Sequence, residues 1–145
     1  MENQNTDILK DVKTTFTKEV VKTNLINALN EIKQICEKRE YVVRGSIDNI
    51  VNELNFEDST LTSRKKLARK IYYFMKKKSR RTMSALISFV KRKFVKGEYE
   101  LSIKPSALEQ EIDKMREEYK LKRAELETLR VAFKEKKKEF FLKNQ

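Results

Sequence analysis

Residues 64–94 read RKKLARKIYYFMKKKSRRTMSALISFVKRKF, and where this stretch breaks decides how the chain folds. In its first half Leu67, Ala68, Ile71, Phe74 and Met75 recur at helical spacing and form one apolar face. A helix continued through Arg81 would bring Lys78 and Arg81 onto that face, where charge is costly to bury. The spacing therefore predicts a helix from Thr62 to Lys77 that stops near Lys78. Lysines in its last turn suit the negative end of the helix dipole. Ser79 or Thr82 can cap a second helix carrying Met83, Leu86, Ile87, Val90 and Phe94, which Gly97 would close in the left-handed conformation. The uncharged span from Thr82 to Val90 reads as the most internal part of the bundle.

Upstream, Leu25, Leu29, Ile32 and Cys36 recur in steps of four, three and four, which predicts a helix over Thr23 to Arg39. Residues 1–16, with the weak helix former TTFT at their end, read as an arm that is flexible before it. Gly45 interrupts the pattern, and Ser46 can cap a short helix with Ile47, Ile50, Val51 and Leu54 on one face. The polar EDSTLTS that follows offers Asp58, Ser59, Thr60 or Thr62 as the next cap.

Downstream, EYELSIKP alternates Tyr99, Leu101 and Ile103 with polar residues, a strand period. With no second strong strand to pair with, it reads as an extended crossover on the bundle. Pro105 disfavours helix before it, and Ser106 with Glu109 forms a capping-box pattern, so the last helix starts here and runs over residues 106–142. Leu108, Ile112, Met115, Tyr119, Leu126, Leu129, Phe133 and Phe140 fit a heptad seam in which Lys122 and Lys136 occupy two positions. A helix of this length, about 50 Å at 1.5 Å per residue, exceeds what a small bundle covers. It is expected to project, to pack on the N-terminal arm or to self-associate.

Only two Gly and one Pro punctuate 145 residues, too few for the turns of a many-stranded sheet. The predicted fold is all-α, a single domain built on a four-helix-bundle core. No His is present and Cys36 is the lone cysteine, which removes the usual acid/base group, the commonest metal ligand and any internal disulfide. No catalytic residue, metal site or cofactor is assigned, and the chain reads as a non-enzyme. Cys36 sits at a core position and reads as a buried small hydrophobe. The carboxylate pairs Glu117/Glu118 and Glu125/Glu127 read as ion-pair partners within their helix. No apolar run is long enough to span a membrane and the polar start lacks the pattern of a signal peptide, so a soluble, intracellular protein is expected.

The charge is strongly localised. Fourteen Lys and Arg and no acidic residue fall between positions 59 and 97, against a whole-chain net charge of +12, so this segment accounts for more than all of it. On a helical wheel Lys65, Lys66, Arg69, Lys76, Lys77 and Arg80 lie opposite the Leu67/Ile71/Met75 stripe. Tyr73 falls among them and Tyr72 at their edge. Arg64, Lys78 and Arg81, with Lys91, Arg92 and Lys93 at the end of the following helix, complete the candidate partner-binding set. Lysines can do no more than solvate a surface, but so many charges of one sign repel one another and cost stability, which argues for a binding role. Basic faces with interleaved aromatics suit phosphates and stacked bases.

The segments NLINALNEIKQIC, LARKIYYFM, MSALISFVKRKF and SALEQEIDKMREEYKLKRAELETLR, in a chain this short, lysine-rich and free of histidine, resemble the bundle-type coat-protein family of archaeal viruses. The resemblance is one of overall character over essentially the full length and transfers no residue by motif. It implies a helical core shared with virion proteins, put to use against the host's DNA-directed RNA polymerase by occupying its DNA-binding channel, in the host cytoplasm and with a place in the virion. The residues alone support two other expectations: sequence-nonspecific DNA binding through the basic 64–96 face, and self-association through the C-terminal helix.

Overall fold

A computed structural model describes residues 15–144. The chain divides into two compact units, up to Ser106 and from Ala107 onward. The expected arm at residues 1–16 lies outside the described residues except for its last two.

Helix α1, Lys18–Lys38, is capped by Thr17, whose Oγ1 accepts from the Val20 amide at 3.4 Å. The TTFT cluster thus supplies a helix start, five residues before the apolar period becomes regular. Val21, Leu25, Ala28, Leu29, Ile32 and Cys36 turn inward from it. After strand β1, Val42–Gly45, Ser46 caps the short helix α2, Ile47–Asn52, with Oγ accepting from the Asn49 amide at 3.3 Å. Thr60 caps α3, Leu61–Lys77, in the same way through Ser63. Lys78 then takes the left-handed conformation at φ 45°, which ends the helix where buried charge would otherwise begin. Ser79 and Thr82 form a reciprocal capping box that starts α4, Arg80–Phe94.

Around α1, α3 and α4 a core closes from Phe74, Phe94, Leu25, Leu29, Ile32 and Leu86, all fully buried. Phe94 stacks on Phe56 at 4.6 Å between centroids, and the Asn55 amide donates to the Phe94 carbonyl at 2.7 Å, so the exit from α2 is tied to the end of α4.

Three expectations change here. The segment read as an unpaired crossover contains strand β2, Leu101–Lys104, which pairs antiparallel with β1 in the register Val42↔Lys104 to Gly45↔Leu101. The fold is therefore mostly helical with a small two-stranded sheet. The partner strand, β1, is only four residues long, too short for its period to stand out. Gly97 is not a left-handed cap: α4 ends in an extended Val95 that bridges to Leu54, and Gly97 instead leaves room for the Tyr99 ring. Finally, Thr82–Val90 is not internal all round. Met83, Leu86, Ile87, Phe89 and Val90 are buried, but Ala85 and Ser88 are exposed.

The second unit is one helix, α5, Ala107–Lys143, which begins directly after Ser106. None of its residues is buried. Ion pairs one turn apart decorate it, including Arg130 to Glu127 at 2.8 Å and Lys120 to Glu117 at 3.7 Å.

Candidate polyanion-binding face

The left-handed turn at Lys78 folds α4 back along α3, and the two helices enclose a groove of about 730 Å³. Lys70, Tyr73, Lys76 and Lys77 line it from α3, and Arg81, Thr82 and Ala85 from α4. Ser79, Thr82 and Ala85 contribute small side chains to the lining beside the long basic ones. Tyr73 is 55% exposed, and its ring meets that of Tyr72 edge-on at 5.8 Å. Among the described residues no acidic side chain lines the groove, and it can take up an anion with an aromatic face beside it.

The fourteen predicted residues separate into groups. Lys76, Lys77, Arg81 and Tyr73 converge on the groove. Lys65, Lys66 and Arg69 are exposed further along α3, with the Lys65 ammonium 5.7 Å from the centre of the Phe16 ring. Tyr72 is half-buried against the core and carries the Lys76 ammonium over its ring at 5.4 Å. It positions the face from below, whereas Tyr73 stands in it. Arg80 is half-buried at the first position of α4.

Two of the predicted residues are structural. Arg64 donates through Nε to the Phe16 carbonyl at 2.8 Å and through its terminal nitrogen to the Ser59 carbonyl and hydroxyl, fastening the entries of α1 and α3 together. Lys78 pairs with Glu31 of α1, and its carbonyl accepts from Arg39 at 3.4 Å. Their charges serve the fold first.

Lys91, Arg92 and Lys93 lie at the far end of α4, outside the groove. Lys91 donates to the Leu101 carbonyl at 3.4 Å and holds β2, and Arg92 lies over the Phe89 ring at 5.6 Å. Carboxylates accompany them: Arg92 shares one cleft with Glu98 and Glu100 and another with Asp58, which pairs with Lys96 at 3.6 Å. This end is mixed in charge, unlike the groove at the α3–α4 turn.

Lys70 was missed by sequence reasoning. Its ammonium lies 5.5 Å over the Phe89 ring while it lines the groove, linking the face to the core. The signal was present, because 70, 73 and 77 follow the i, i+3, i+7 spacing of one helical face. Its wheel position, about 60° from Leu67, however, put it on the flank of the apolar stripe and outside the face opposite it.

No protein-family model matches the chain, and no curated protein or solved structure matches it.

Among the described residues, no cluster of acidic, Cys or His side chains could hold a metal ion. No described helix is long and apolar enough to cross a membrane. Cys36 is buried and unpaired by any disulfide, and burial pushes its thiol up from the ordinary value of 9.0. A buried thiol held protonated is a poor nucleophile.

Proposed function

We propose that this chain is a viral regulator that binds the host's archaeal RNA polymerase in its DNA-binding channel and represses transcription by occlusion, without catalysis. The observation that carries the binding role is the groove at the α3–α4 turn, with its four convergent cations, exposed Tyr73 and, among the described residues, no carboxylate. The choice of polymerase rests on the resemblance to the bundle-type coat proteins of archaeal viruses, which goes furthest towards the RNA polymerase inhibitory protein of Acidianus two-tailed virus. In this reading the helical core is the four-helix bundle of the virion proteins, and the chain acts in the host cytoplasm. Acidic polymerase surfaces would be met by the basic face, which speeds encounter, while Tyr73 adds contact area.

The test is capture of polymerase from nuclease-treated host extract, followed by promoter-dependent transcription with the wild type and with a Lys76→Glu/Lys77→Glu/Arg81→Glu variant. Capture and repression by the wild type, both lost in the variant, are the expected results. Repression that survives the triple change would remove the basic face from the mechanism.

The same groove favours a second reading, sequence-nonspecific DNA binding of the kind a coat or nucleoprotein needs. Phosphates are the natural partners of convergent Lys and Arg, and a stacked base is the natural partner of Tyr73. Tight, salt-steep binding of duplex DNA without polymerase capture would select it.

A further inference from the structure

We propose that α5 pairs with the same helix of a second copy of this chain as a parallel, in-register, two-stranded coiled coil. The inference is independent of the partner of the basic groove. It starts from the seam, which is fully formed on a helix with no buried residue. Ile112, Tyr119, Leu126, Phe133 and Phe140 repeat every seven residues at one core position of the heptad. Leu108, Met115 and Leu129 hold the other, together with Lys122 and Lys136. Leu108, Met115 and Leu129 are each about two-thirds exposed, as are Tyr119, Leu126 and Phe140. The remaining exposed apolar residues of α5, Leu121, Val131, Phe141 and Leu142, scatter over three other heptad positions with polar residues at the intervening repeats, and define no second seam.

The flanking charges identify the occupant. The g positions hold Glu111, Glu118, Glu125, Ala132 and Glu139 and the e positions Glu109, Arg116, Arg123, Arg130 and Lys137, so three successive heptads, from Glu111 to Arg130, carry acid at g and base at e. In a parallel in-register pair each g residue faces the e residue five positions further along the partner helix. Glu111 then meets Arg116, Glu118 meets Arg123 and Glu125 meets Arg130, each twice by symmetry. In an antiparallel pair g faces g and e faces e, and every one of these contacts becomes repulsive. The sequence is self-complementary in one orientation only.

The two seam lysines set the number of strands. In a two-stranded coil a core-position Lys lays its stem along the seam and carries its ammonium out to water, whereas three or four strands would enclose it. Lys136 already turns towards Glu139 on its own helix, at 3.5 Å. The pairs that Arg116 and Arg130 make with Asp113 and Glu127 are exposed and exchange for interchain partners at little cost.

The test uses the full chain. Sedimentation from low micromolar to about 100 µM is expected to show the mass rising from 17.3 kDa towards twice that value. Single substitutions Leu108→Cys and Phe140→Cys at opposite ends of the seam fix the orientation. Under mild oxidation each is expected to cross-link to itself, with the wild type, whose only thiol is the buried Cys36, as control. Cross-linking only when the two variants are mixed would establish an antiparallel pair and overturn the proposal. A Glu118→Lys/Glu125→Lys chain should dimerise about tenfold or more weakly, and recover when mixed with an Arg123→Glu/Arg130→Glu chain. A wild type that remains strictly monomeric over the whole range also overturns the proposal, as does a trimer.

Discussion

Lys78 and Glu31 pair between the α3–α4 turn and α1, at the point where Lys78 adopts the left-handed backbone conformation. The same residue therefore reverses the chain and fastens the reversal to a neighbouring helix. Left-handed backbone is unfavourable for a side chain as long as lysine, so the pair helps to hold a conformation that the residue would not choose alone. Both side chains are partly buried, which protects the interaction from screening.

A double-mutant cycle with Lys78→Met and Glu31→Gln should give a coupling of about 1 kcal/mol in urea unfolding. The coupling should fall only slightly with added salt, because the pair is partly buried, and the same cycle run between Glu31 and Lys77, which faces the groove, should show none. Lys78→Gly separates the two roles: glycine relieves the backbone while deleting the pair, so its loss should be smaller than that of Lys78→Met.

Gly45 carries the tightest backbone constraint of the sheet. It sits at φ 91°, and a Cβ there would lie 1.6 Å from the Glu100 carbonyl oxygen. Both the conformation and the space require glycine, and the obstacle is backbone that cannot swing away. Gly45→Ala should cost about 2–4 kcal/mol of stability and unpair β1 from β2. Gly97→Ala should cost less, because its Cβ would meet the Tyr99 ring at 2.3 Å, and a side chain can rotate. Chemical denaturation of the two variants side by side checks the order.

Helices were legible because each carries a regular apolar stripe and a side-chain cap. Ser46, Thr60 and Ser79 each accept from the amide three residues on, a purely local interaction that the sequence offered, whereas Thr17 does the same from within a cluster that read as part of the arm. The sheet was not legible. Val42 is exposed and Val43 only partly buried, so β1 has no alternating pattern, and its identity depends on a partner some 60 residues away. For the basic face, the wheel correctly turned Lys76 and Lys77 outward but could not tell a groove cation from a structural one. What separates Lys77 from Lys78 is Glu31, contributed by a different helix, and what separates Arg81 from Arg92 is the company of Glu98 and Glu100. Spatial neighbours of this kind carry no trace in local spacing.

Charge changes at the two ends of α4 should therefore differ in effect. Lys76→Glu/Lys77→Glu/Arg81→Glu alters the single-sign groove, whereas Lys91→Glu/Arg92→Glu/Lys93→Glu alters a mixed surface and a strand anchor. The first should abolish capture of the anionic partner at near-physiological salt. If that partner is duplex DNA, neutralising three of the four groove cations as Lys76→Gln/Lys77→Gln/Arg81→Gln should lower the slope of log affinity on log salt by about three, near 0.9 for each phosphate no longer neutralised. The second triple change should leave affinity nearly unchanged and lower stability, because the Lys91 hydrogen bond to the Leu101 carbonyl is removed. Tyr73→Ala should weaken binding to single-stranded nucleic acid more than to duplex, by about 1–3 kcal/mol if a base stacks there.

Cys36 provides a pH-dependent readout of the core that is separate from binding. Burial raises its thiol above the ordinary value of 9.0, so the folded protein holds the proton where the unfolded chain releases it. The sign follows from linkage: stability is full below about pH 9 and falls as pH climbs towards the raised folded value, since ionisation favours the unfolded chain. Lysines and tyrosines also titrate in this range, so the comparison is with Cys36→Ala. That variant should be less stable at pH 7 by about 1 kcal/mol because core packing is reduced, and its deficit should narrow steadily as pH rises. In the folded wild type a thiol reagent should react no faster than the chain opens, with full reaction on adding denaturant. Rapid labelling at neutral pH, or a deficit independent of pH, would place Cys36 in contact with water and out of the α1 core face.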